Sequence, residues 1–257
     1  MRQAFDGRPS FDLSVVLPVH NEEAILEQNV EVLARHLATV PLLDRFEILL
    51  VCNGCLDGSE QVCRRLVERM SGRVKMLCLE TRGLGHAIRA GITAASYDFV
   101  MFYAVDLPFG LTIVEDSVAA ARENRNRIVI GSKGHADSRV ERSLTRQMFS
   151  RAISLVNNVT FGLDVKDTQG SLLFPKAIFR RYHAAMDSPG AFFQAQIIIY
   201  GHQMGCEMLE IPVRLSEGGN RKTRFRLIGD GTRYLAAVVR EKAKLIAGTR
   251  RKRNRRS

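Results

Sequence analysis

Three carboxylates (Glu22, Asp57 and Asp106), an imidazole (His20), an amide (Asn53) and an ammonium (Lys133) each stand just after a short apolar run, too far apart to share one helix or hairpin. Carboxylates and amides accept hydrogen bonds from the N–H and O–H groups of a heterocycle or a sugar. A single carboxylate can also hold a hard divalent cation whose remaining ligands are phosphate and water. A lysine neutralises phosphate. Between them lies Thr81-Arg82-Gly83-Leu84-Gly85-His86-Ala87, whose glycines allow close backbone approach, although a dinucleotide fingerprint would follow the first strand rather than a third. Capping is a good alternative account of Asp57 and Asn21, since each precedes a helix-period segment. Cys52 and Cys55 have C-x-x-C spacing, but no thioredoxin-like pattern surrounds them and no second close pair exists to complete a zinc site. Cys52 reads as a packing residue at a strand end. Farther on, Asp167-Thr168-Gln169 follows the Gly162-Leu163 break, where a polar turn also accounts for it, and Arg221, Lys222 and Arg224 form a basic stretch.

The elements that must position these groups follow from periodicity. Apolar runs at 13–17, 46–51, 74–79, 98–103 and 127–131 alternate with helix-period segments at 21–38, 57–71, 84–95 and 111–123. Such alternation predicts an open α/β sheet of mostly parallel strands flanked by helices. Ligands bind such sheets beyond the carboxyl ends of the strands. Glu22, Asp57, Asp106 and Lys133 should therefore face one cleft. At 257 residues and 46% apolar composition the chain can bury a single large core. Five cysteines without framework spacing predict reduced thiols in a cytosol. The start MRQAFDGRPSFD lacks a signal-peptide core, and no stretch reaches the roughly 18 apolar residues of a membrane span.

With these elements in order, the sequence resembles the family-two inverting glycosyltransferases of GT-A fold, and most of all their polyprenyl-phosphate branch, which includes the dolichyl-phosphate mannose and glucose synthases. VVLPVHNEE (15–23), ILLVCNGCLDGS (48–59), TRGLGHAIRAGI (81–92), YAVDLP (103–108), GSK (131–133), the stretch 150–174 ending near Asp167-Thr168-Gln169, and EIPVRLSEGGNRKTRF (210–225) carry the resemblance. It implies transfer of a hexose or related sugar from a UDP- or GDP-sugar to a polyprenyl phosphate with inversion. Pro18, His20, Glu22, Asn53, Asp57, Gly83, Gly85, Ala87 and Asp106 would contact the donor. Lys133, Asp167, Thr168, Gln169, Arg221 and Lys222 would contact the acceptor, and Asp106 and Lys133 would act in catalysis. Asp106 would hold Mg²⁺ or Mn²⁺; Ala104 replaces the family's first metal-binding acid, so Arg82, Lys133, Arg221, Lys222 and Arg224 are candidates to share the leaving-group charge. The implied layout is an extension (1–12), a catalytic domain (13–226), an amphipathic helix (227–248) and a basic tail (249–257).

The charge of the chain, +11, belongs to its end, which closes TRRKRNRR. Leu227, Ile228, Gly231, Tyr234, Leu235, Val238, Val239, Leu245 and Ile246 recur at helical spacing before that run. Packing on the domain explains the periodicity as well as a membrane does, and the basic run favours an anionic membrane surface. Peripheral association with the cytoplasmic face of a membrane is the expectation, with room for a membrane-protein partner. No nucleic-acid-binding pattern is present. Transfer to a glycan or lipid hydroxyl, and a non-catalytic nucleotide-sugar binder or partner subunit, stand beside the leading reading; Cys52 and Ala104 motivate the last.

Overall fold

The computed structural model describes residues 10–141, 143–215 and 227–254. The first half alternates strand and helix as the periodicity predicts: β1 (Asp12–Val19), α1 (Glu23–Leu37), β2 (Arg45–Asn53), α2 (Ser59–Arg69), β3 (Val74–Leu79), α3 (Leu84–Ala94), β4 (Phe99–Phe102), α4 (Thr112–Glu123) and β5 (Arg127–Ser132). Then come β6 (Arg139–Val140), α5 (Leu144–Phe161), β7 (Ser171–Pro175), α6 (Ala177–Tyr182), α7 (Phe192–Gln203), β8 (Glu207–Pro212), β9 (Arg214–Leu215) and α8 (Leu227–Asn254).

Seven strands form one sheet in the order β3-β2-β1-β4-β7-β5-β8, and β6 pairs with β9. All pairings in the large sheet are parallel except those of β7, which runs antiparallel to both β4 and β5. Strand β1 lies between β2 and β4, buried on both faces: Leu13, Val15, Leu17 and Val19 meet one layer of helices and Val16 the other. Continuous apolar strands are what a doubly covered sheet demands. Pro18 is tolerated in this central strand because β4 pairs only as far as Val16, so no partner on that side requires its missing N–H. Helices α1, α2 and α4 cover one face, and α3, α6 and α7 the other, where α5 and α8 also pack.

One buried charge fastens the sheet. Glu47 of β2 is 2% exposed, accepts from Ser14 Oγ at 2.6 Å and lies 2.6 Å from Lys75 Nζ. Desolvation pushes its carboxyl up, but Lys75 and the hydrogen bonds of Ser14 and Ser96 outweigh burial and hold it below the usual range.

Helix α8 spans Leu227–Asn254. Lysine and arginine are good helix formers, and cations favour a helix C-terminus. Its apolar set divides into two faces. Tyr234 and Val238 pack into the core, while Leu235, Val239 and Ile246 are exposed. No helix among the described residues is long and apolar enough to cross a membrane.

Candidate active site

The carboxyl ends of β1 to β5 and the amino end of β7 share one edge of the sheet, so the polar groups that follow the apolar runs do lie along one rim. The only two non-glycine residues with left-handed backbone among those described, Asn21 (φ 56°) and Leu107 (φ 47°), belong to it as well. Backbone held in that region costs free energy, which surrounding contacts must offset.

At the β1–β2 end an open cleft of about 530 Å³ is lined by Asn21, Glu22, Glu23, Ala24, Ile25 and Asp57. Its walls are two helix starts that cap one another. Asp57 accepts from the Ser59 N–H (3.0 Å) at the start of α2 and from the Glu23 N–H (3.2 Å) at the start of α1; Glu23 accepts from the Gly58 N–H (2.9 Å). Capping thus describes Asp57 directly. Desolvation is the largest single influence and raises its carboxyl, but the hydrogen bonds from Ser59 and Glu23 together more than reverse this and hold it below the usual carboxylate range. Asn21 Oδ1 accepts from the Leu56 N–H at 2.7 Å, and the Glu22 N–H donates to Ser59 Oγ at 2.8 Å.

Asn53 is a staple between strand ends. It is 4% exposed, donates from Nδ2 to Val19 O at 2.8 Å, and accepts at Oδ1 from the Gly83 N–H at 3.1 Å. Its carbonyl meets His20 Nδ1 at 3.0 Å. The amide expected to reach a donor is engaged by the ends of the two neighbouring strands, β1 and β3. Cys52 is a buried packing residue, with Sγ 3.4 Å from Cys63 Sγ. The neighbouring Cys63 thiol and burial both push the Cys52 thiol up, which leaves it an inert thiol.

The glycine loop is shaped by protein rather than left open to a donor. A Cβ on Gly85 would lie 2.0 Å from Ser188 O, and the Gly85 N–H donates to Pro189 O at 2.9 Å, so this glycine lets the start of α3 touch the 188–190 segment. Ala87, expected near the donor, is fully buried in the core because it lies on the face of α3 that packs against the sheet. Arg82 is exposed beside Gly54, whose left-handed backbone (φ 63°) and close approach to the Arg82 N–H exclude a side chain.

Beyond β4, Tyr103 closes the Asp106 loop: its hydroxyl donates to Gly110 O at 2.6 Å and accepts from the Phe109 N–H at 3.1 Å. Asp106 is exposed and Ala104 half-buried. Among the described residues no three His, Cys, Asp or Glu side chains converge as a metal cage. One carboxylate suits an ion held mainly by a diphosphate and water, as Mg²⁺ commonly is.

Two strand spacings along the edge from β4, roughly 10 Å at about 4.8 Å each, the rim turns basic. Lys133 Nζ lies 2.6 Å from Asp167 Oδ2, donates to Gln169 O at 3.1 Å, and stands 5.6 Å from the centre of the Phe109 ring. Asp167 also accepts from the N–H groups of Lys133 (3.0 Å) and Gln169 (2.9 Å). Glu210 accepts from the N–H groups of Lys166 and Asp167, and Ser154 Oγ from the Thr168 N–H. The buried Asn157 Nδ2 donates both to Thr168 Oγ1 (2.9 Å) and to Tyr234 OH of α8 (2.8 Å). In this rigid loop the buried Gln169 Nε2 has no partner. Lys133 also opens onto a narrow groove shared with Arg146, Gln147, Ser150, Arg151 and Lys166.

Of the residues expected from the sequence, Glu22 and Asp57 share the acidic cleft, Lys133, Asp167 and Gln169 meet at the basic end, and Thr168 is buried beneath them. Pro18, His20 and Gly83 line the strand ends beside the acidic cleft. Arg221, Lys222 and Arg224 lie outside the described residues. The sequence reading missed Arg146, Arg151 and Lys166; the signal was there in α5, a helix with two arginines and no acid.

Known proteins of similar sequence are glycosyltransferases. Glycosyltransferase AglD of Haloferax volcanii is 25% identical over 228 residues, which cover 87% of this chain and 36% of AglD. The dolichyl-phosphate beta-glucosyltransferase of Drosophila melanogaster is 25% identical over 240 residues, 86% of this chain and 72% of that enzyme. Among solved structures, the glucosyl-3-phosphoglycerate synthase of Mycobacterium tuberculosis in complex with UDP superposes with a TM-score of 0.66 at 18% identity, over 92% of this chain and 81% of that one. That likeness establishes the expected GT-A architecture. The family model described as glycosyl transferase family 2 matches residues 14–186, well over half of the sequence, and the chain belongs to that family.

Proposed function

We propose that the protein transfers a hexose or related sugar from a UDP- or GDP-sugar to a polyprenyl phosphate, with inversion, at the cytoplasmic surface of a membrane. The observation that carries this reading is the polarity of the rim. Its β1–β2 end offers Glu22, Glu23 and Asp57, which repel phosphate and accept hydrogen bonds from a base or ribose. The far end gathers Lys133, Arg146, Arg151 and Lys166 in one groove. A nucleotide-sugar then lies with its base at the acidic end and its diphosphate beyond Asp106, facing an acceptor phosphate in the basic groove.

A phosphate monoester, with second pKa about 6, is largely dianionic at neutral pH and is its own nucleophile. It attacks the anomeric carbon, the bond from that carbon to the diphosphate breaks, and the nucleoside diphosphate leaves. No protein base is needed. Asp106 would hold a divalent ion, which when bound supplies positive charge against the departing diphosphate. Lys133 contributes fixed positive charge, oriented by Asp167 and the Gln169 carbonyl before any ligand arrives. The unpartnered Gln169 amide donates to a phosphate or sugar oxygen.

Purified protein incubated with a panel of nucleotide-sugars and a short polyprenyl phosphate, with and without EDTA, tests the reaction. Phosphate-linked glycolipid is the expected product. Nucleotide binding without turnover on any donor would favour a non-catalytic binder, a reading that the engaged Asn53 amide and Ala104 support.

A further inference from the structure

Eight large apolar side chains are exposed among the described residues, and seven of them fall on two helices that pack against each other. Helix α5 exposes Leu144, Met148, Leu155 and Val159, at spacings i, i+4, i+11 and i+15; α8 exposes Leu235, Val239 and Ile246, at i, i+4 and i+11. Each set is one stripe along its helix. The seven are 47% to 78% exposed, a concentration that a face meant only for water does not show.

The two stripes open to the same side. Helix α5 meets α8 where Phe149 faces Gly231, Asn157 bonds Tyr234, and Lys242 Nζ donates to Thr160 O at 2.5 Å. These contacts advance together along both helices, which therefore run in the same direction. On α8, Gly231 and Lys242 stand between the buried face (Tyr234, Val238, Glu241) and the stripe. On α5, Phe149 and Thr160 stand between the buried Asn157 and its stripe. Rotating outward from the core, each helix reaches its partner first and its exposed stripe next.

Charge identifies the occupant. Helix α5 has two arginines and no acid. Helix α8 has eight Lys or Arg against Asp230 and Glu241, and Glu241 is 1% exposed, held inside by Gln196 and Tyr200. An apolar double stripe on two helices rich in Lys and Arg, with Glu241 withdrawn from solvent, complements an anionic leaflet, with apolar side chains at the acyl boundary and cations at the headgroups.

We propose that α5 and α8 form one membrane-docking face, seated on the anionic surface of a bilayer, so that α8 is only half of the contact. The face adjoins the basic groove, whose Arg146 and Arg151 belong to α5, and Tyr234 joins it to the acceptor loop through Asn157. It shares with the proposed function only the presence of a bilayer.

Co-sedimentation of the full chain with phosphatidylcholine vesicles, with and without about a third phosphatidylserine, tests it. Leu155→Glu/Val159→Glu alters α5 alone, at exposed positions where folding, checked by circular dichroism and thermal melting, should hold. Binding to the anionic vesicles should fall about tenfold or more in this variant, as it should in Leu235→Glu/Val239→Glu. Turnover of a short water-soluble polyprenyl phosphate should stay unchanged in both, so loss of docking and loss of the reaction are read separately. Wild-type sedimentation by the α5 variant would overturn the two-helix face. So would a lipid-free dimer of the wild type that the α5 variant abolishes, because a second copy would then be the occupant.

Discussion

Replacing Lys133 by methionine separates what this residue does for the fold from what it does for the reaction. Asp167 is 1% exposed and Lys133 Nζ lies 2.6 Å from it, so Lys133→Met strands a buried carboxylate. Breaking a buried pair typically costs about 3–5 kcal/mol. Asp167 keeps two backbone N–H donors, from Lys133 and Gln169, which places the loss near the low end, about 3 kcal/mol. For a chain of this size that is a fall in Tm of about 6–12 °C. Adding Asp167→Asn removes the stranded charge and keeps an oxygen for one of those two donors, so the double variant should regain part of the lost stability. It should not regain turnover, because the oriented cation is still missing; a loss of about 10²–10³-fold is typical when one preorganised electrostatic contact is removed. Thermal melting and sugar transfer to a short polyprenyl phosphate, measured on wild type, both single variants and the double variant, give the full cycle. Lys133→Met that melts within about 2 °C of wild type, or a double variant with restored turnover, would refute the reasoning.

Three further outcomes follow from contacts at the rim and in the sheet. Tyr234→Phe leaves Asn157 short of one acceptor and slackens Thr168, so KM for the polyprenyl phosphate should rise about fivefold or more while KM for the nucleotide-sugar stays fixed, and equal rises in both would refute a selective role. Gly85→Ala places a Cβ 2.0 Å from Ser188 O and should cost about 1–3 kcal/mol in thermal or urea unfolding; an unchanged midpoint would show that the 188–190 segment yields freely. The Glu47 carboxyl is lower in the folded state than in the unfolded one, so its contribution is complete above the unfolded value of about 4.3 and is lost as pH falls through the folded value. Urea unfolding at several pH values should show the advantage of wild type over Glu47→Gln shrinking in acid, and a constant difference would contradict the sign.

The first half of the fold was legible because amphipathic helices and doubly buried strands impose different periods on the sequence. Strand β3 has the limits its apolar run predicts, and β1, β2, β4 and β5 differ by a residue or two at their ends. Helix α7 escaped that reading because it has no polar face: ten of its twelve residues are buried, and a helix enclosed on all sides leaves no 3.6-residue stripe. At the site, Glu22, Asp57, Lys133 and Asp167 could be placed because chemistry at strand ends is conspicuous. Asn53 and Gly85 carry the same signal for another reason. Their partners, Val19, Gly83 and Ser188, come from 30 or more residues away, and no local pattern distinguishes a polar group that meets a ligand from one that meets a distant backbone. The exposed stripe of α5 was likewise hidden, since a sequence shows an apolar face without showing whether anything covers it.

The reversed direction of β7 has a consequence for how such a molecule can vary. Loops that leave parallel strands can lengthen or change chemistry independently, as each is tethered only at its own strand. The loop carrying Asp167 and Gln169 instead arrives at the edge, delivered by α5 and swallowed at once by β7 between two established neighbours. Insertions there would displace the helix upstream as well as the ammonium beside it, so α5 with its exposed stripe and the loop that orients Lys133 are obliged to drift together or not at all.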